Sequence, residues 1–430
     1  MIAWDSLYAE RTRGMRASDI RDAFRLAERA EIISFAGGFP GPESFPNETV
    51  AELACEILSR EPELALQYGP TEGFAELREY IAAELASQGM SVDPAGILVT
   101  NGSQQGLDLI SKLFIDPGDE VIVELPGYVG GIGALLNYEA RPVGIPVDRT
   151  GLDTDRLAEL LAARRRQGRP LPKLAYVVPN FQNPTGATLS LQRRQALIEL
   201  SREYGFLIVE DNPYGEIRFE GERLPTVKSL DPDGRVLYLG SYSKIFLPGF
   251  RLGWIAGDPR VIARLVVAKQ ATDLCSGSLV QRVVIECFRR GVFTRRREAL
   301  VGLYRQKRDA MLAALQASFP GWIDWTRPSG GFFVWATLPP GADAAALLPA
   351  AVAEERVAYV AGRGFHVDGS GRNTLRLAYS QASTAQIEAG IERLGRFFER
   401  HLGPPLAAPM GKEVPEPSEK VSAGGHLAVP

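Results

Sequence analysis

The chain has 430 residues, 45% of them hydrophobic and 23% charged, with a formal net charge of −4, the profile of a soluble globular protein with a large core. No apolar run reaches the ~18 residues of a membrane helix, Met1 to Arg16 holds no apolar signal-peptide core, and the one basic block, Arg164-Arg165-Arg166, reads as a solvated helix end rather than a nucleic-acid contact. Three cysteines without a C-x-x-C pair and three histidines without ligand spacing argue against a disulfide framework or a metal site, so the expectation is a reduced, cytoplasmic, metal-free protein.

In chain order, Ser18 is placed to cap an amphipathic helix over 19–29. A strand starting at Ile32 breaks into a Gly/Pro loop ending at Pro42, and Asn47 is read as the cap of a helix over 48–60. The loop 67–73 leads into a helical pattern over 74–88. From Ile97 the rhythm is strand, loop, helix. Strands are expected at 97–100, 120–124, 174–178, 206–210, 235–240 and 252–256, with intervening helices ending at Phe114, Asn137 and Tyr204. Short apolar runs alternating with helical patterns predict an α/β fold with a mostly parallel sheet covered on both faces. Helices follow over 261–272, 279–290 and 294–318. Strands at 332–337, 357–360 and 374–379, interleaved with two helices, then form a smaller α+β domain. The expected organisation is an N-terminal segment (1–44) belonging with the small domain, a large domain (45–318), the small domain (319–402) and a disordered tail (403–430) rich in Pro, Ala and Gly.

An open α/β sheet places its ligands beyond the carboxyl ends of its strands, so the polar residues there are the candidates. Lys244 follows the strand at 235–240, beside Ser241, Ser243 and Arg251. Asn183 lies in an Asn-Pro-Thr-Gly turn, Asp211 ends a strand, and Tyr214 comes one short turn later. Singly, Lys244 suits a solvated surface and Asp211 a turn cap. Together they match pyridoxal 5′-phosphate (PLP), which needs a lysine for its aldehyde and an acid for its pyridine nitrogen. A carboxylate keeps that nitrogen protonated, which Asn or Gln at 211 would not do. Gly102-Ser103-Gln104, opening a helix, offers backbone N–H groups to the phosphate, and Ser241, Ser243 and the fork of Arg251 add direct contacts. Tyr128 follows the neighbouring strand and is placed to stack on the ring.

Five motifs in order resemble the class I/II aminotransferases of PLP fold type I: Asn183-Pro-Thr-Gly, Glu210-Asp211-x-Pro-Tyr214, Gly240-Ser-x-Ser-Lys244, Pro248-Gly-x-Arg251 and Asn373-Thr-Leu-Arg376-Leu. Phe35-Ala-Gly-Gly38, Gln67-Tyr68, Gly102-Ser-Gln-Gln105 and Phe181-Gln-Asn-Pro-Thr-Gly186 are more similar to the branch holding 2-aminoadipate and kynurenine aminotransferases. The resemblance implies ping-pong transamination between an L-amino acid (2-aminoadipate, aromatic or aliphatic type) and a 2-oxo acid, with 2-oxoglutarate the favoured acceptor.

It also implies roles. Lys244 would join the cofactor and move the proton, and Asp211 would pair with the pyridine nitrogen. Asn183 and Tyr214 would hydrogen-bond the ring 3′-oxygen, and Tyr128 would stack on the ring with Pro213 below. Arg376, with Asn183, would clamp the substrate α-carboxylate, Gly38 would border the substrate, and Arg21 would reach an acidic substrate side chain. Tyr68 would reach the phosphate of a second subunit, giving a homodimer with shared sites. Neither nucleic acid nor membrane is expected as a partner: nothing before residue 18 would hold the winged helix of related regulators, and no apolar run reaches membrane length. The segment Gly362-Arg-Gly-Phe-His366 departs from the branch and is expected to border the side-chain pocket. The alternatives are an oxidase, lyase or decarboxylase on the same scaffold, or a PLP-binding sensor without turnover.

Overall fold

The structure, a computed structural model, describes residues 2–14 and 31–403. After a short strand β1 (Ile33–Ser34), eight strands build one sheet: β2 (Ile97–Thr100), β3 (Glu120–Leu125), β4 (Arg141–Asp148), β5 (Gly151–Leu152), β6 (Leu174–Val177), β7 (Leu207–Asp211), β8 (Val236–Ser241) and β9 (Gly253–Ala256). Their order is β2-β9-β8-β7-β6-β3-β4-β5. The central ladders from β4 to β8 are parallel, whereas β9 runs antiparallel to both β8 and β2, and β5 antiparallel to β4.

The strands alternate two apolar faces, as the period of two requires. Ile122, Ala175, Val177, Ile208 and Val236 pack with Leu157 and Leu161 of the helix Thr154–Arg166 and with Leu197 and Ile198 of the helix Leu191–Tyr204. On the other face Val121, Val123, Tyr176, Val209, Leu237 and Leu239 pack with Leu107 and Ile110 of the helix Ser103–Phe114. Covered on both sides, the parallel strands read as continuous apolar runs.

The second sheet is β10 (Asp324–Trp325), β11 (Phe333–Thr337), β13 (Val360–Ala361) and β14 (Thr374–Ala378), antiparallel in the order β10-β11-β14-β13. Strand β12 (Val357–Ala358) instead pairs in parallel with β1. Tyr304, Met311 and Leu315 of the long helix Val292–Ser318 share one continuous core with the large-sheet face above and with Phe332, Ile391 and Leu394 beside the second sheet.

The structure corrects several expectations. The run at 357–360 is two strands in two sheets, separated by buried Tyr359, whose hydroxyl donates to the Ala344 carbonyl at 2.8 Å. Pro46 holds the cap position of the helix Asn47–Arg60, so Asn47 falls inside the first turn and makes no capping bond. The sequence reading contains neither β4 nor β5, and of the helix Thr154–Arg166 it has only the basic end. Pro142, Gly144 and Pro146 obscure β4, as prolines and glycines do near a sheet edge. Arg164 is not solvated: it is buried and ion-paired with Glu120, and only Arg165 and Arg166 are exposed. The helix expected at 19–29 with its Ser18 cap, and the tail from 404, lie outside the described residues. Among the described residues no helix is long and apolar enough to cross a membrane, and no cluster of His, Cys, Asp or Glu could hold a metal ion.

Arg194 fastens the loop that carries Asn183. It is fully buried, donates from Nε to Leu189 O (2.9 Å) and from Nη1 to Pro225 O (2.8 Å), and from Nη2 reaches Pro179 O (3.0 Å) and Asn180 Oδ1 (2.7 Å). Arg194→Met keeps the volume but leaves buried carbonyls without donors, so it should cost on the order of 3–5 kcal/mol. Chemical denaturation checks this, and an unchanged midpoint would show that the loop holds itself.

Candidate active site

A cavity of about 400 Å³ opens where the carboxyl ends of β3, β6, β7 and β8 meet β14. The helix Ser103–Phe114 contributes Ser103 and Gln104, and the turn after β3 contributes Tyr128. Asn183 comes from the loop after β6, while Asp211 and Tyr214 come from the end of β7. Ser241, Ser243, Lys244 and Arg251 come from the β8–β9 connection, Arg376 from β14 and Gly38 from the loop after β1. Every predicted site residue lines this cavity except Tyr68 and Arg21. Tyr68 is 77% exposed and lies apart from it; Arg21 is outside the described residues.

Asp211 is buried, and its two oxygens differ. Oδ2 accepts from the Tyr176 hydroxyl at 2.8 Å, while Oδ1 is buried with no partner. Burial raises the carboxyl to about 6 against the opposing Tyr176 bond and Lys244 charge. Lys244 Nζ donates to the Gly38 carbonyl at 2.8 Å. Burial, then the charges of Arg376 and Arg251, lower its amine to about 8, with Asp211 opposing. A buried amine in that range becomes a nucleophile near neutral pH.

One end of the cavity is built for an anion. The helix Ser103–Phe114 points its N-terminal amides there, and Arg251 lies across it with Nη1 3.5 Å from Ser243 Oγ. Gly102 sits at φ 76°, and a Cβ there would stand 2.6 Å from Arg251 Nη2. Only glycine therefore allows the guanidinium so close to the helix end. Ser241 Oγ accepts from Ser243 N at 3.1 Å and shapes the turn.

Arg376 forms the opposite wall. β14 holds it opposite Trp335 and Val360, and its guanidinium donates to Asn183 Oδ1 (2.9 Å) and Ala36 O (2.7 Å). Phe333 and Phe365 flank it, with ring centroids 4.5 and 5.1 Å from Cζ. Burial lowers it only to about 10, so it stays cationic, and its buried Nε has no partner. No residue of the 362–366 segment lines the cavity. Phe365 instead packs behind the guanidinium, which corrects the expectation for that segment.

Sequence reasoning did not find Phe39, Gly130, Val178 and Phe333 in the wall, or Tyr176 behind Asp211. They lie outside the five motifs, and only cross-strand register brings Tyr176 to β7.

The donor set fits PLP on structural grounds. Asp211 Oδ1 is an orphaned acceptor for a ring N–H⁺, Lys244 offers an amine to an aldehyde, and the amide-and-guanidinium cradle suits a phosphate.

The family model for aminotransferase class I and II matches residues 36–394. The chain is 42% identical over 402 residues to aromatic-amino-acid aminotransferase 1 of Thermococcus litoralis, covering 93% of this chain and 96% of that one. It is 41% identical over 401 residues to 2-aminoadipate transaminase of Thermus thermophilus, covering 93% and 98%. Among solved structures it resembles the Pyrococcus horikoshii kynurenine aminotransferase in complex with PMP, at TM-score 0.89 and 41% identity over 93% of this chain and 98% of that one.

The lowered amine gives a pH test. In cofactor-free protein the Lys244 amine should capture PLP about tenfold faster per pH unit up to about pH 8 and level off above it, because only the neutral amine attacks. Stopped-flow absorbance measures the rate. A rate still climbing toward the ordinary lysine value of about 10.4 would contradict the burial effect.

Proposed function

The chain belongs to the class I and II aminotransferases, and from that membership we propose which of its residues carry the reaction and which substrates it takes. It is a PLP-dependent enzyme of fold type I that moves an amino group between an amino acid and a 2-oxo acid. The activities named for its relatives favour transamination over an oxidase, lyase, decarboxylase or silent sensor.

One observation carries the residue assignment: an amine, an orphaned carboxylate oxygen and a buried guanidinium converge on one cavity. When bound, PLP supplies an electron-accepting ring that stabilises negative charge on the substrate Cα. In the proposed arrangement Asp211 Oδ1 accepts the ring N–H⁺, and Asn183 and Tyr214 donate to the 3′-oxygen. Tyr128 and Pro213 cover the ring faces. Ser103, Gln104, Ser241, Ser243 and Arg251 hold the phosphate. Arg376 turns its fork to the substrate α-carboxylate, with Asn183 beside it and Gly38 at the border. Lys244, on its neutral amine, would move the proton between the substrate Cα and the cofactor C4′, with Asp211, Tyr214 and Asn183 the other catalytic residues.

The substrate assignment is finer. Phe39, Phe333 and Tyr128 form an aromatic wall suited to aromatic or aliphatic donors, and Arg21 is proposed for acidic ones such as 2-aminoadipate. The acceptor is proposed to be 2-oxoglutarate. A homodimer with shared sites is supported by Tyr68, exposed on a loop that Ser278 Oγ ties down at the Gln67 carbonyl, 2.7 Å. Residues 1–44 are proposed to belong with the small domain (319–402), around the large domain (45–318), and the free cysteines fit a cytoplasmic location.

Two outcomes follow. Lys244→Ala should have no turnover and a native circular-dichroism spectrum. Mixed with a Tyr68→Ala variant it should regain some activity, because one of the hybrid's two sites holds both native residues. No recovery after verified subunit exchange would count against shared sites. Arg21→Ala should lower kcat/KM for acidic donors by roughly ten- to a hundredfold, the worth of a charge-assisted bidentate pair, and leave aromatic donors nearly unchanged. Equal losses for leucine and glutamate would make Arg21 a structural residue.

A further inference from the structure

The residue that holds Asp211 lies outside every motif that marks this site. Tyr176 is buried in the middle of β6, one strand from β7, and pairs with Val209, two residues before Asp211. The period of two along a strand therefore puts the Tyr176 and Asp211 side chains on the same face. Its hydroxyl donates to Asp211 Oδ2 at 2.8 Å, and the other oxygen, Oδ1, remains without a partner.

The ring fits only because the helix Val129–Leu136 presents Gly131 to it. A Cβ at 131 would lie 2.4 Å from the Tyr176 ring. Burial, together with Asp211, Tyr128 and Glu124, pushes the phenol well above its ordinary value, so it acts only as a donor.

We propose that Tyr176 is a positioning residue for the reaction: by occupying Oδ2 it holds Asp211 ionised and in one orientation, with Oδ1 alone left for a cationic ring nitrogen. This rests on the reading that Asp211 faces the cofactor pyridine. Without that bond, a carboxylate in so dry a place would gain by protonating or by turning its second oxygen away. The other titratable groups near Asp211 are Lys244 after β8, Glu124 on β3, Tyr128 after β3 and Tyr214 after β7. Glu124 is itself raised to about 8, burial being the main cause. Tyr176 supplies the hydrogen bond at Oδ2, and after burial that bond acts on the carboxyl more than the Lys244 charge does.

Two readouts separate positioning from packing, using Tyr176→Phe and Gly131→Ala, the latter crowding the ring from the helix side. In cofactor-free protein, the ¹³Cγ titration of Asp211 should move up by about one to two pH units in Tyr176→Phe, the worth of one hydrogen bond to a charged group. Gly131→Ala should move it in the same direction, and the double variant no further than Tyr176→Phe alone.

The second readout compares binding of PLP with its carbocyclic analogue, which has a C–H in place of the ring nitrogen. Wild type should prefer PLP. Tyr176→Phe should lose roughly ten- to a hundredfold in PLP affinity and bind the analogue as wild type does. Equal losses for both ligands, or an unmoved Asp211 titration in both variants, would overturn the proposal and make Tyr176 a packing residue. A wild type without preference between the two ligands would instead overturn the Asp211 reading, and the role of Tyr176 with it.

Discussion

The structure depends on keeping one carboxylate, Asp211, charged and half-satisfied inside a dry core. Burial works against it and raises its carboxyl to about 6. A single hydrogen bond from Tyr176 and the nearby Lys244 amine work for it. That balance leaves one oxygen bare, and a bare buried acceptor is an unmet demand for a cationic donor. The parallel ladders β6–β7–β8 deliver Tyr176, Asp211 and Lys244 into one neighbourhood, because strand ends in a parallel sheet lie at one edge.

Charge explains the rest of the cavity. Arg251 and Arg376 both line the cavity and both act on Lys244, with Asp211 the opposing anion. Like charge is what lowers Lys244 beyond the effect of burial. The same field favours two anions at once, a phosphate at the helix end and a carboxylate at the far wall. Arg376 reaches the site only because β14 of the second sheet packs against the loop after β1, whose Ala36 carbonyl it also holds. Arg376 and the Lys244 amine thus belong to different sheets, and their spacing is set by the core shared between them.

Much of this was legible along the chain. Strand-end positions predicted Asp211 and Lys244, because parallel strands announce themselves as apolar runs and the residue after each run is a site candidate. Arg376 and Gly38 came instead from a resemblance, since a strand arginine and a loop glycine carry no chemistry in isolation. What stayed hidden depends on register. Tyr176 reads as one more core aromatic until β6 is laid beside β7. Gly131 reads as a weak helix former until the ring above it is seen. Strand β4 was missed because Pro142 and Pro146 are tolerated near the sheet edge, where β5 alone lies beyond it. The run at 357–360 was read as one strand because pattern alone does not show that neighbouring residues pair in different sheets.

The most direct test of the central claim is the rate at which the holoenzyme exchanges the α-hydrogen of an amino-acid donor in D₂O, compared between wild type and Asp211→Asn. The substitution keeps shape and removes charge, so at saturating cofactor the fold should stay intact while exchange falls by about a hundredfold or more. Exchange at near the wild-type rate would show that the charge on Asp211 is not what lets this site take a proton from carbon.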